Sequence, residues 1–280
     1  MQIAMIQDKI VPLSELDPVY LDRGTYFGDG VYEVVRSYDG RIFALQEHLT
    51  RLVRSLNEIS ITGVDIDQIR RRVEQAYRTA GIANAKIYFH VTRGSHLRSH
   101  AGDRDLKPNF FLTVTELPDS SEQKETGISV CTYPDWRWKR CDIKTLNLLP
   151  NVLARMEAEH RGCAEAILVN EDGFITEAAG SAFFAIFAGG RLVTRPLGSE
   201  ILASITRRFV MGLTSQVGLD VLEQAITPAE AQKADELFIA VTTLDIVPVV
   251  RFDGAGIGTG RPGRYTKLLI DAFKEFVAQS

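Results

Sequence analysis

Near the middle of the chain, residues 117–126 read Leu-Pro-Asp-Ser-Ser-Glu-Gln-Lys-Glu-Thr, and this stretch constrains the fold more than any other feature. It is polar, holds one proline and offers no apolar cluster to a core. Patterned sequence long enough to build a core lies on each side of it. A chain of 280 residues suits one large domain or two modest ones. The polar break selects two: an N-terminal domain over 1–118, a linker over 119–126 and a C-terminal domain over 127–280.

The first half mixes strands and helices. Its opening residues read as strands and turns. Residues 31–38 are rich in β-branched and aromatic side chains, and Asp39-Gly40 marks a hairpin into 41–45. Leu45, Leu49, Leu52, Val53, Leu56 and Ile59 then recur at helical spacing. A second helix carries Ile66, Ile69, Val73, Ala76 and Tyr77 and stops at Gly81. Residues 85–93 and 110–116 read as strands around an exposed loop at 94–107. In the second half, strands are expected at 128–133, 164–170, 181–187, 236–242 and 246–251. Helices are expected over 150–161, from Ser204, and over 264–278. Thr227-Pro228-Ala229-Glu230 is a capping box with proline at the first helical position. The class is α+β.

Composition excludes several functions. Apolar residues make up 45% and charged residues 24%, the balance of a soluble globular protein. A net charge of −4 lacks the basic excess of nucleic-acid and membrane-surface proteins. No apolar run is long enough to span a bilayer, and the first residues do not read as a signal peptide. Cys131, Cys141 and Cys163 are odd in number and sparse, which fits a reducing cytoplasm. They lack zinc spacing, His96 and His100 do not lie in a helical pattern, and no metal is expected. Gly258-Thr259-Gly260-Arg261-Pro262-Gly263 matches a dinucleotide fingerprint by letter, but no βαβ unit surrounds it and Pro262 sits where the helix should open. It reads as a surface loop.

The chemistry centres on Arg140-Cys141-Asp142-Ile143-Lys144-Thr145-Leu146-Asn147. In an extended segment Cys141 and Ile143 share one face, and Asp142 and Lys144 the other. Lys144 is then either an ordinary solvated lysine or a desolvated amine able to attack an aldehyde. Spacing alone leaves both open.

This octapeptide resembles the lysine motif of the fold-type IV enzymes that use pyridoxal 5′-phosphate (PLP), especially their D-amino-acid (D-alanine) aminotransferases. Asp22-Arg23-Gly24, the run from Phe27 to Val35, Glu47-His48-Leu49 with Arg51-Leu52, and Val91-Thr92-Arg93-Gly94 are similar to the family's N-terminal blocks. Thr176-Glu177, Ile205-Thr206-Arg207 and Asp235-Glu236-Leu237-Phe238 are similar to its C-terminal blocks. The likeness keeps its order from about residue 7 to about 275.

The resemblance implies a smaller N-terminal α/β domain and a larger C-terminal domain with a barrel-like β core. It implies that Lys144 holds PLP as a Schiff base and moves the α-proton of the substrate. Glu177 would face the ring nitrogen, which needs an anion to stay protonated. Leu202 would pack on the ring. Arg51, Ile205, Thr206 and Thr242 would hold the phosphate, with free amides at a helix start suited to an anion. Tyr32, Arg98 and His100 would bind the substrate carboxylate, and the Arg98-Ser99-His100 loop would reach the neighbouring subunit of a homodimer. The implied reaction is transamination between D-amino acids and 2-oxo acids. Branched-chain L-amino-acid aminotransferases, aminodeoxychorismate lyase and (R)-selective amine transaminases share the fold, and a PLP-binding protein without turnover is the reading outside enzymes. Two departures stand out. The run after the glutamate, usually rich in serine and asparagine, is Ala178-Ala179-Gly180-Ser181-Ala182, and a position commonly serine is Val241. Both remove hydroxyls near the cofactor.

Overall fold

The computed structural model describes residues 1–103 and 105–279. A hairpin of β1 (Ile3–Ile6) and β2 (Lys9–Pro12) opens the chain. A helix, α1 (Arg23–Phe27), follows where strands and turns were expected. It is too short for an apolar period to show. Its signals are local: the Asp22 side chain accepts from the Gly24 N–H, and Gly28 ends the helix at φ +62°.

The first sheet is antiparallel, in the order β4 (Arg41–Ile42), β3 (Gly30–Tyr38), β5 (Ala85–Thr92), β6 (Asn109–Glu116). Helices α2 (Leu45–Glu58) and α3 (Ile66–Ala80) cover one face. Side chains alternate along β3, so Val31, Glu33, Val35 and Ser37 are buried beneath the helices while Tyr32, Arg36 and Tyr38 point to the other side. Val31 and Val35 pack with Leu49, Leu52, Val73 and Phe89, all fully buried. Each such side chain contributes roughly 1.5–3 kcal/mol. The polar break is not wholly irregular: Ser121–Thr126 forms a short helix, α4.

The second sheet runs in the order β12 (Asp220–Glu223), β11 (Arg191–Thr194), β10 (Ala182–Phe187), β13 (Glu236–Val241), β14 (Asp245–Phe252), β7 (Ile128–Pro134), β8 (Glu165–Val169), β9 (Ile175–Ala178). The edge pair β11–β12 and the neighbours β14–β7 and β7–β8 are parallel, and the other pairs are antiparallel. The sheet curls into a half-barrel. Its end strand β9 turns back into β10, with the Ala178 N–H donating to the Ser181 carbonyl at 2.8 Å. Val130, Ile167, Phe183, Leu237, Val247 and Phe252 share the core inside the curl. Outside, α6 (Ile205–Leu213) and α7 (Arg264–Gln279) pack on β10 and β13, where Phe184 and Phe238 stack at 4.6 Å. Helix α5 (Leu149–His160) lies on β7 and β8 through Ala154 and Ala158. Strands β8 and β10 are buried on both faces, which is why they read as continuous apolar runs. Strands β11 and β12 carry no such signal, and β12 is exposed throughout. Among the described residues, no helix is long and apolar enough to cross a membrane.

Candidate active site

A cleft with a cavity volume of about 100 Å³ lies between the two halves of the chain. Tyr32 and Arg51 line it from the first half, and Lys144, Glu177, Leu202 and Thr242 from the second. Segments remote in sequence therefore meet at one place.

Lys144 is delivered by backbone pairing. The Tyr32 N–H donates to the Lys144 carbonyl at 3.0 Å and the Leu146 N–H to the Gly30 carbonyl at 3.0 Å, so the lysine segment is tied to the start of β3. The segment is not extended as expected. The Ile143 N–H turns back to the Arg140 carbonyl and the Thr145 N–H to the Ile143 carbonyl. Cys141, Ile143, Lys144 and Thr145 consequently all line the cleft. Asp142 is instead held by Arg54 at 2.6 Å and Arg140 at 3.0 Å. Lys144 Nζ lies 4.2 Å from the centre of the Tyr32 ring, a cation–π contact that directs the amine over the cleft. Cys141 shares the cleft, but burial pushes its thiol up to about 12, so it stays protonated and a poor nucleophile.

Glu177 is buried at the end of β9. Its carboxylate accepts from an Arg137 guanidinium N–H and from the Leu202 N–H at 3.2 Å. Burial still holds its pKa above the ordinary range, against the pull of Arg137, the Leu202 amide and Lys144. The anion is thus incompletely compensated, and a further positive partner would be stabilised there. Arg137 escapes the sequence reading, because Trp136-Arg137-Trp138 lies in an irregular stretch where an arginine reads as solvated. Its side chain is in fact buried, and pairs with Asp135 at 2.7 Å as well.

A second ion network lies beneath Arg51. Its Nε and Nη2 donate to Glu33 at 2.8 and 2.7 Å, and its Nη1 donates to the Ala203 carbonyl at 3.0 Å. Of the five guanidinium N–H groups about two stay free for an anion. His48 Nδ1 lies 2.7 Å from the same Glu33 carboxylate. Glu33 and His48 were also missed. The signal was present: alternation along β3 puts an acid on the apolar face, with His48 and Arg51 three residues apart on the covering helix.

Burial alone would raise Glu33, but Arg51 and His48 outweigh it and hold the carboxyl at about 2. The folded-state value is depressed. The stabilisation is therefore full above the unfolded value of about 4.3 and is lost as pH falls toward about 2. It amounts to roughly 3 kcal/mol. Urea unfolding of the cofactor-free protein at pH 7 and at successively lower pH should show this loss. Glu33→Gln should lose less stability over the same range. Parallel curves for the two proteins would contradict the ion-network account.

Ser204 caps α6, accepting from the Arg207 N–H at 3.2 Å, and lines the cleft. Ile205 and Thr206 are buried as the first helical residues, so their amides have no intrahelical acceptor. The Thr242 hydroxyl lines the cleft with no hydrogen-bond partner among the described residues. The Ala178–Ala182 run forms another wall. Its one hydroxyl, on Ser181, is taken by Glu165 at 2.8 Å, so this wall is poor in donors as the sequence suggests.

Arg98 and His100 are not brought to this cleft. They sit on an exposed stretch, 97–101, against Phe27, with the Arg98 guanidinium 5.1 Å from the ring centre and the His100 ring 5.4 Å away. Arg23 clamps the loop backbone, donating to the Ser99 carbonyl at 2.6 Å and the His100 carbonyl at 2.8 Å.

The family model for class IV amino-transferases matches residues 30–252. The chain is a class IV aminotransferase. A D-alanine aminotransferase of Bacillus licheniformis is 38% identical over 250 residues, covering 88% of this chain and 87% of that protein. One from Staphylococcus haemolyticus is 34% identical over 274 residues, covering 97% and 96%. The structure of the Escherichia coli branched-chain amino acid aminotransferase superposes with a TM-score of 0.87 at 25% identity, covering 96% of this chain and 92% of that one. The activity of this aminotransferase is PLP-dependent transamination. The donor set fits that cofactor: an incompletely compensated buried carboxylate for a ring cation, and two spare guanidinium N–H groups, two helix-start amides and a free hydroxyl for a phosphate.

Proposed function

We propose that this aminotransferase exchanges the amino group between D-amino acids, of the D-alanine and D-glutamate type, and 2-oxo acids. The observation that carries the reading is the likeness to D-alanine aminotransferases along nearly the whole chain. The fold likeness to a branched-chain enzyme leaves substrate hand undecided.

In this reading PLP, when bound, withdraws electrons from the substrate α-carbon and so makes its proton removable. Lys144 would attach the cofactor and, once free, its amine would take the α-proton of the substrate and return it to the cofactor carbon across the amino nitrogen. Tyr32 holds the amine over the cleft. Glu177 keeps the ring nitrogen protonated, and Leu202 packs on the ring. Arg51, Ile205, Thr206 and Thr242 hold the phosphate. Because one amine serves one face of the cofactor, substrate hand depends on where the carboxylate is held. Arg98 and His100 hold it together with Tyr32. Since their loop lies away from this chain's own cleft, it serves the partner's, which makes the working unit a homodimer. The domains are 1–118 and 127–280, joined by 119–126. The three cysteines form no disulfide, which supports a cytoplasmic location.

A half-reaction assay tests the reading. D-alanine should convert the holoenzyme, seen as loss of its visible band, while L-alanine and L-leucine should not. Arg98→Ala should slow D-alanine about ten- to a hundredfold, the worth of a hydrogen bond to a charged group, and leave an (R)-amine without a carboxylate unaffected. Preference for L-leucine would overturn the D-substrate reading, and an unchanged D-alanine rate in Arg98→Ala would remove the loop from it.

A further inference from the structure

We propose that Asp245 is a positioning residue that sets the shape of the phosphate-binding turn, acting through Thr242. The proposal rests on the reading of Thr242 as a phosphate ligand given above. Asp245 follows the tight turn that joins β13 to β14 and carries Thr242. It is buried and sits at φ +62°, a left-handed conformation that costs a residue with a side chain.

Three side chains from outside the turn converge on its carboxylate. Arg36 Nη1 donates to Oδ1 at 2.9 Å, the Tyr38 hydroxyl donates to the same oxygen, and Lys124 Nζ donates to Oδ2 at 2.7 Å. Arg36 Nη1 also reaches the Thr243 carbonyl at 3.2 Å, so it grips the turn itself. Arg36 and Tyr38 stand on the same face of β3 as Tyr32, and Lys124 belongs to α4 between the two sheets. The Nε of Arg36 is buried without a partner. A left-handed aspartate and an unpaired buried N–H are local costs, and neither is needed to join two strands. What they achieve is registration. The strand that places Tyr32 beneath Lys144 and the turn that presents Thr242 are held to one carboxylate.

Equilibrium dialysis of the holoenzyme against graded PLP, read by bound visible absorbance, tests this. Asp245→Asn suits the left-handed backbone and removes the charge. It should weaken PLP retention about tenfold, in the range of couplings between contacting residues, with kcat at saturating PLP within about twofold of wild type. Lys124→Met, a change on the shell of the network, should weaken retention in the same direction without endangering folding. Thr242→Ala should also weaken retention, and the Thr242→Ala/Asp245→Asn double variant should be no worse than Thr242→Ala alone. Full additivity of the two effects, or unchanged retention in Asp245→Asn, would overturn the proposal while Thr242 keeps its role. Unchanged retention in Thr242→Ala would remove Thr242 from the phosphate site, and this proposal with it.

Discussion

Lys144→Ala is expected to lower kcat by at least about 10⁴-fold while the protein still folds and still takes up PLP. Two functions rest on this one amine in the proposed mechanism, attachment of the cofactor and movement of the α-proton. Loss of a positioned base alone typically costs about 10²–10⁴-fold, and no neighbour can replace it. The Cys141 thiol is held protonated by burial, and His48 is buried against Glu33, with burial lowering its pKa. Folding should survive, because among the described residues the Lys144 side chain makes one cation–π contact, with Tyr32, worth about 0.5–2 kcal/mol. The proposed phosphate donors lie on other segments, so PLP should still bind, without the absorbance of the lysine adduct. Steady-state rates with D-alanine and 2-oxoglutarate, and dialysis against PLP, measure the two halves of this expectation. A variant keeping a tenth of wild-type kcat would show that the proton moves through another group.

The legible parts of this site are those written as short contiguous strings. The Lys144 octapeptide, Thr176-Glu177 and Ser204-Ile205-Thr206 each occupy one turn or one strand end, so a local motif carries them. The apolar period of α2 and the strands β8 and β10 were legible for the same reason. What the sequence hid depends on pairing across distance. Arg137 is buried only because Asp135 and Glu177 lie beside it, and Glu177 comes from a strand forty residues later. Asp245 gathers partners from β3 and α4, more than a hundred residues away. Charged residues in such positions look like solvated surface until the fold pairs them. Helix α1 and the α4 helix inside the polar break are too short for a period, and β12 has no buried face at all. The extended reading of 141–144 failed on a different ground. Alternation holds only where a strand persists, and successive turns there bring Lys144 to the cleft beside Cys141 and Ile143 while Asp142 is held by Arg54 and Arg140.

Arg137→Met should be the most damaging change that touches neither Lys144 nor the proposed phosphate donors. The guanidinium is buried among Asp135, Glu177, the Thr176 hydroxyl and the Glu200 carbonyl. Removing one partner of a buried ion pair costs about 3–5 kcal/mol, because the other charge is left uncompensated. The consequence for Glu177 has a definite sign. Burial already raises its pKa, and Arg137 is the largest influence opposing that rise. Without Arg137 the pKa climbs further, and more of the carboxyl is protonated at neutral pH. In the proposed role a protonated Glu177 cannot hold a ring proton, so the electron sink weakens. We expect kcat at pH 7 to fall about a hundredfold or more, within the roughly 10²–10³-fold lost when one electrostatic group is removed from an active site. The acidic limb of the kcat profile should move to higher pH, so that raising the pH restores part of the loss. A defect in folding alone would lower activity at every pH and leave the limb where it was. The diagnostic measurement is therefore the profile from pH 6 to 9 on soluble, PLP-saturated variant. A limb that stays in place would detach Arg137 from the control of Glu177 and leave it a purely structural partner of Asp135.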